Sequence, residues 1–212
     1  DPGQSASPAL ERMAEDGDLA MLMSAFDAAG AGSIQGALNA IGPIPPGERV
    51  SRTFVLHPDE PRHRYRSYAA MVIPSNDAFI GNSDGMVMEV FGADGTFVGG
   101  SRIIPGSAVY DAGTEVNDEV PANTAFFGQA MPDTGAPEGG TIEMHAGFMP
   151  AGSGGILDNS RFANADFTAA NYQIARVTVE MLPELPTAVK VRVTNLAPAS
   201  GTYLTPPWIA FH

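Results

Sequence analysis

Two periodicities divide the chain. Near its start, Leu10, Met13 and Ala14 recur at i, i+3 and i+4 behind Pro8, a residue that the first turn of a helix tolerates. Asp16–Gly17–Asp18 breaks the pattern. Leu19, Leu22, Met23 and Phe26 restart it, with Asp18 placed to cap the new turn. Short helices are therefore expected over residues 8–15 and 19–29. Met13, Met21 and Met23 read as packing residues. Residues 30–47 are small, rich in Gly and Pro and weakly patterned, which predicts a loop crossing one end of the fold.

After that loop the period shortens to two. Val50–His57 places Phe54 and Leu56 on one face, and Tyr65–Ile73 is a longer run ending against Pro74. Met86–Phe91 is nearly continuous apolar, as a strand buried on both faces would be. Ala93–Asp94–Gly95–Thr96 reads as a turn into Phe97 and Val98. Ile142, Met144 and Ala146 alternate with Thr141, Glu143 and His145. Ala175, Val177, Val179 and Met181 alternate with Arg176, Thr178 and Glu180. The clearest alternation comes last: Val189, Val191 and Val193 against Lys190, Arg192 and Thr194, before the apolar stretch Leu204–Phe211. Short period-two elements joined by turn residues predict an all-β antiparallel β-sandwich with a short helical insertion near the N-terminus. No internal repeat divides the 212 residues, and all-β domains of that size are commonly single.

Composition narrows the partners. There are 24 acidic residues against 11 basic ones, a net charge of −13, and Lys190 is the only lysine. Phosphate backbones and anionic membranes require clustered Lys and Arg, so neither is an expected partner. With no cysteine in the chain, neither a disulfide framework nor a thiolate metal site is available. No apolar run approaches the roughly 20 residues that span a bilayer. A sequence opening on Asp1–Pro2–Gly3 reads as a processed chain.

The densest candidate chemistry is Tyr110–Asp111–Ala112–Gly113–Thr114–Glu115, followed by Asn117, Asp118 and Glu119. Two carboxylates four apart, separated by a glycine that permits a sharp turn, suit a hard, oxygen-loving cation such as Ca²⁺. A solvated acidic loop at a strand end is the competing reading, since the run does not match an EF-hand. His57, His63, His145 and His212 show no i, i+4 spacing for zinc, and each reads as a satisfied or solvated histidine. No Gly-x-Ser-x-Gly elbow is present, and Gly152–Ser153–Gly154–Gly155 lacks the lysine of a phosphate loop. Nothing in the sequence calls for an enzyme. Arg62, Arg64 and Arg66 form the one basic cluster, either a solvated loop or a surface that meets an acidic partner.

Three segments together resemble the spondin N-terminal domain family of extracellular matrix proteins and secreted bacterial proteins. They are Pro74–Ser75–Asn76–Asp77–Ala78–Phe79–Ile80–Gly81, Tyr110–Asp111–Ala112–Gly113–Thr114–Glu115 and Ile174–Ala175–Arg176–Val177–Thr178. The stretch from Ser7–Pro8 to Asp16–Gly17–Asp18 is similar to the bacterial branch. The resemblance implies an antiparallel β-sandwich with a divalent cation, Ca²⁺, at one end, held by Asp77, Asp111 and Glu115. Glu115 stands where animal members carry Asp, and the cysteines of those members are missing.

The order of the segments departs from the family. The strand that opens the bacterial domain resembles Val189–Leu196 and its Pro-Pro stretch ending in His, which here lie at the C-terminus. The chain thus divides into a body, residues 1–186, and a strand segment, residues 187–212, that completes a sandwich: its own, a tandem copy's or a neighbouring subunit's. An unfilled groove exposes apolar surface and unpaired backbone groups, which favours strand donation, and donation that does not close gives a filament. The resemblance and the order together imply a non-enzymatic, secreted homo-oligomer: the subunit of a bacterial surface fibre or pilus-like helical polymer. Val189, Val191, Val193 and Trp208 would be its interface anchors. The alternative is a monomeric Ca²⁺-dependent adhesion or glycan-binding module.

Overall fold

The structure, a computed structural model, describes residues 1–30, 33–38 and 40–212. Helix α1, Pro8–Asp16, starts where Ser7 Oγ accepts the Leu10 N–H at 3.3 Å. It ends on Gly17 at φ 70°, whose N–H returns to Met13 O. A side chain is excluded there twice over, because a Cβ would also lie 2.5 Å from Thr205 Cγ2. Helix α2, Ala20–Ala29, follows after Asp18 Oδ1 accepts the Ala20 N–H at 2.9 Å. No residue of α2 is fully buried. Leu22, Met23 and Phe26 pack half-buried against the first sheet, and Gln35 brackets the helix to it, its Nε2 donating to Met23 O while its Oε1 accepts from Trp208 Nε1.

The strands are β1 (Ile34–Ala37), β2 (Arg49–Val55), β3 (Arg66–Ile73), β4 (Ala78–Gly81), β5 (Gly100–Pro105) and β6 (Tyr110–Asp111). The later ones are β7 (Glu143–Met144), β8 (Gln173–Leu182), β9 (Leu185–Asn195), β10 (Tyr203–Leu204) and β11 (Trp208–Phe211). Among the described residues they make two antiparallel sheets, ordered β1-β11-β3-β4-β6-β7, with β10 also paired to β3, and β2-β9-β8-β5. Phe54, Ile104, Val177, Val179, Val189, Val191 and Val193 of the second sheet meet Tyr68, Ala70, Val72, Ile80, Ile209 and Phe211 of the first. The fold is an all-β sandwich with two short helices near the N-terminus.

The sheets differ in cover. On the first, Met13 and Ala14 of α1 close over Ala69, Phe79, Trp208 and Ala210, so β3 and β11 are buried on both faces. The second keeps a polar outer face, where Arg49, Arg176, Lys190 and Arg192 lie in register with threonines, serine and Glu180. Segment 187–212 serves both sheets. Its β9 lies between β2 and β8, and its β11 lies between β1 and β3.

Several expectations need correction. Strand β1 lies inside the expected 30–47 loop, where Gln35 and Gly36 hide it from a hydrophobic pattern; residues 31, 32 and 39 of that loop fall outside the described residues. Met86–Phe91 is not a doubly buried strand: Met86 and Val87 are exposed, and Phe91 makes an isolated bridge to Phe97. The stretch 141–146 pairs only over Glu143–Met144, with Met144 exposed and His145 buried, the reverse of the expected faces. The Pro206–Pro207 pair divides Leu204–Phe211 into β10 and β11, whose pairings along β3 are offset by one residue.

Candidate functional site

The acidic motif sits where β4 pairs with β6, with Ala78 opposite Asp111 and Phe79 opposite Tyr110. This register brings Asp77 against the turn after β6. Asp77 is fully buried, and its Oδ2 accepts three hydrogen bonds: from Thr114 N at 2.8 Å, Glu115 N at 3.1 Å and Thr114 Oγ1 at 3.1 Å. One carboxylate oxygen therefore holds the whole Gly-Thr-acid turn. Its other oxygen, Oδ1, is buried without a partner.

Asp111 points elsewhere. Its Oδ1 accepts the Gly113 N–H at 2.7 Å and its Oδ2 accepts Asn117 Nδ2 at 2.6 Å. Gly113 is at φ 67°, and a Cβ would stand 2.7 Å from the backbone of Thr141, so only glycine permits this turn. Asn117 Oδ1 lies 3.2 Å from His145 Nε2, and His145 Nδ1 accepts the Gly147 N–H at 3.0 Å. With Nδ1 an acceptor, the ring proton resides on Nε2 and is donated to Asn117. Burial holds His145 below its usual range, opposed by Asp111, which keeps this tautomer neutral.

Glu115 Oε1 accepts the Gly135 N–H at 2.9 Å, while its Oε2 is buried without a partner. Glu119 stands at φ 52° and pins two further loops, accepting from Met149 N through Oε1 and from Ile156 N at 2.7 Å through Oε2. Asp118 accepts from Val120 N and Asn123 Nδ2. Each acid of the motif thus anchors a backbone or amide N–H, and together they tie the loops at this end of the sandwich.

Of the three ligands implied by the resemblance, the structure joins Asp77 and Glu115 directly, while Asp111 turns both oxygens to Gly113 and Asn117. Among the described residues no group of three or more His, Asp or Glu side chains is arranged to hold a metal. A cation would have to be met by Asp77 Oδ1 and Glu115 Oε2, the oxygens of the set left without hydrogen bonds. Sequence reasoning missed Glu15 of α1, a buried acid beside Glu115 with its own unpartnered Oε2. Its signal is its place next to Ala14 on the apolar side of the helix. The roles of Asn117 and Glu119 depend on distant loops and leave no local mark.

Crowding these acids away from water raises their pKa. Burial is the largest cause at each, pushing Glu15 and Glu115 up to about 7 and Asp77 up to about 6. An acid whose folded pKa lies above its unfolded value binds its proton longer in the folded state. Its contribution is present below the unfolded pKa and is lost as pH rises through the folded one. The melting temperature is therefore expected to fall, by about 5 °C or more, between about pH 4.5 and 7. Scanning calorimetry in chelator across that window is the check, and a flat or rising profile would contradict it.

His57 and His63 are brought together, with His63 Nδ1 accepting the His57 N–H at 2.9 Å. Arg64 pairs with Glu89 at 2.7 Å, so the basic cluster is partly neutralised within the chain. The Gly152–Gly155 turn is closed by Asp158, which accepts from Gly152 N at 2.6 Å and Gly154 N at 2.5 Å. The interface anchors occupy the core: Val189, Val191 and Val193 point between the sheets, and Trp208 lies under α2. No helix among the described residues is long and apolar enough to cross a membrane. Comparison of the chain with family models, with curated proteins and with solved structures returns no match.

Proposed function

We propose that this chain is a non-enzymatic structural subunit of a bacterial surface fibre, secreted and assembled by exchange of residues 187–212 between copies. One observation carries the reading. The segment supplies an inner strand to each sheet, and the strand in which it begins, β9, is covalently linked to the body by the short exposed turn Pro183–Glu184 after β8. Opening that turn and inserting the segment into the next copy would preserve every contact it makes in its own sandwich. Each body would then accept one segment and offer another, a head-to-tail interface that extends when the rotation does not close. The apolar anchors match donor-strand recognition, in which main-chain pairing gives affinity and alternate side chains fill the groove.

The test is to unfold and refold the protein at rising concentration, then read mass by size-exclusion chromatography with light scattering and shape by electron microscopy. Dimers and longer linear species are the expected result. A strict monomer at every concentration would sink the proposal.

The unpartnered oxygens of Asp77 and Glu115 favour a second reading, a monomeric Ca²⁺-dependent adhesion or glycan-binding module. Calorimetric heat on adding Ca²⁺, with no polymer and with glycan binding abolished by chelator, would support it over the fibre.

A further inference from the structure

Beneath α2, on the outer face of the first sheet, lies a cavity of about 380 Å³, to which segment 187–212 contributes Trp208 and His212. Its walls are Phe26 of α2, Phe79, Tyr110, Trp208 and Ile142. Phe26 meets Trp208 edge-on at 5.3 Å, and Phe79 and Tyr110 lie at 5.5 Å. At one end Ser67, Asn82 and His212 converge. An apolar cavity with a few convergent polar groups is the usual form of a small-molecule site, and volumes of roughly 300–1,000 Å³ are typical.

The hydrogen bonds at the polar end define what it can receive. Asn82 Nδ2 donates to Ser67 Oγ at 3.2 Å and to Asp84 O at 3.0 Å, so both its protons are engaged. Ser67 Oγ lies 2.9 Å from His212 Nε2. With the ring proton of His212 on Nδ1, Nε2 accepts the proton of the Ser67 hydroxyl. His212 is fixed by backbone bonds in both directions with Tyr65, and burial lowers its pKa, so the ring is neutral and Nε2 can accept. Ser67 Oγ keeps one lone pair. In this tautomer Ser67 Oγ offers the cavity an acceptor.

No Lys or Arg lines the cavity, in a chain of net charge −13, so an anion finds no cationic side chain there. We infer that this cavity binds a neutral aromatic alcohol, its ring held among Phe26, Phe79, Tyr110 and Trp208 and its hydroxyl donating to Ser67 Oγ.

Trp208 is the only tryptophan, so its emission reports occupancy directly. Titration with 4-ethylphenol is expected to change that emission saturably. 4-Ethylanisole, which has the same ring but no proton to donate, should bind at least tenfold more weakly. Ser67→Ala should weaken the phenol to the level of the ether and leave the ether unchanged. The absence of a saturable change with the phenol would overturn the proposal, as would equal affinities for phenol and ether. The two-ligand comparison uses the native chain, so it decides the matter even if Ser67→Ala fails to fold. Where the variant folds, an unchanged phenol affinity would also overturn it.

Discussion

A chain ending at residue 186 is expected to be unfolded in isolation and to fold when a synthetic peptide spanning 187–212 is added. The segment buries Val189, Val191, Val193, Leu204, Trp208, Ile209 and Phe211. At ~1.5–3 kcal/mol for each large apolar side chain, their removal costs on the order of 10–20 kcal/mol. Typical domains hold only ~5–15 kcal/mol of stability, so the loss exceeds what the body can absorb. Backbone pairing deepens the deficit, because without β9 both β2 and β8 lose a hydrogen-bonding neighbour, and without β11 so do β1 and β3. Circular dichroism and one-dimensional NMR of the truncated chain, alone and with peptide, read the outcome. A folded truncated chain would remove the segment from the structural role given to it here. A chain that stays unfolded with saturating peptide would show that the segment acts only in cis, against exchange between copies.

Asp77→Ala is expected to cost roughly 3–5 kcal/mol, whereas Asp77→Asn should cost much less. The alanine leaves the Thr114 and Glu115 N–H groups and the Thr114 hydroxyl without their acceptor, and a buried donor left unpaired costs ~1–3 kcal/mol. Asparagine retains one carbonyl oxygen at the position of Oδ2 and carries no charge to desolvate. Its amide would occupy the place of Oδ1, the atom that lacks a partner in the native chain. Urea unfolding of the three proteins measures the difference. An alanine variant whose midpoint matches the native one would mean that Asp77 does not organise the motif.

The alternating strands were the most legible part of the fold. In β9 the three valines face the core and Lys190, Arg192 and Thr194 face out, because that sheet is covered on one side only. The same rule misleads around His145. There the pairing is two residues long, and burial follows the Asn117 and Gly147 hydrogen bonds more than the pleat. Strand β5 escaped notice for another reason. It is an edge strand ending on Pro105, with Ile103 facing solvent, so no apolar stripe marks it. The motif around Asp111 and Glu115 was visible as a cluster of acids, and Asp77 joined it only through the family resemblance. What the letters could not convey is that Asp111 turns towards Asn117 while Asp77 takes three donors. Those choices depend on the register of β4 against β6, a long-range fact.

The uncovered outer face of the second sheet has an electrical consequence. It gathers Arg49, Arg176, Lys190 and Arg192, four of the 11 cations in the chain, so the rest of the chain holds seven cations against most of the 24 acids. The molecule is thus polarised, with a positive plate on one side and a negative field around the rest. An acidic surface brought near this plate is attracted to it over a range that salt sets at about 8 Å in physiological solution.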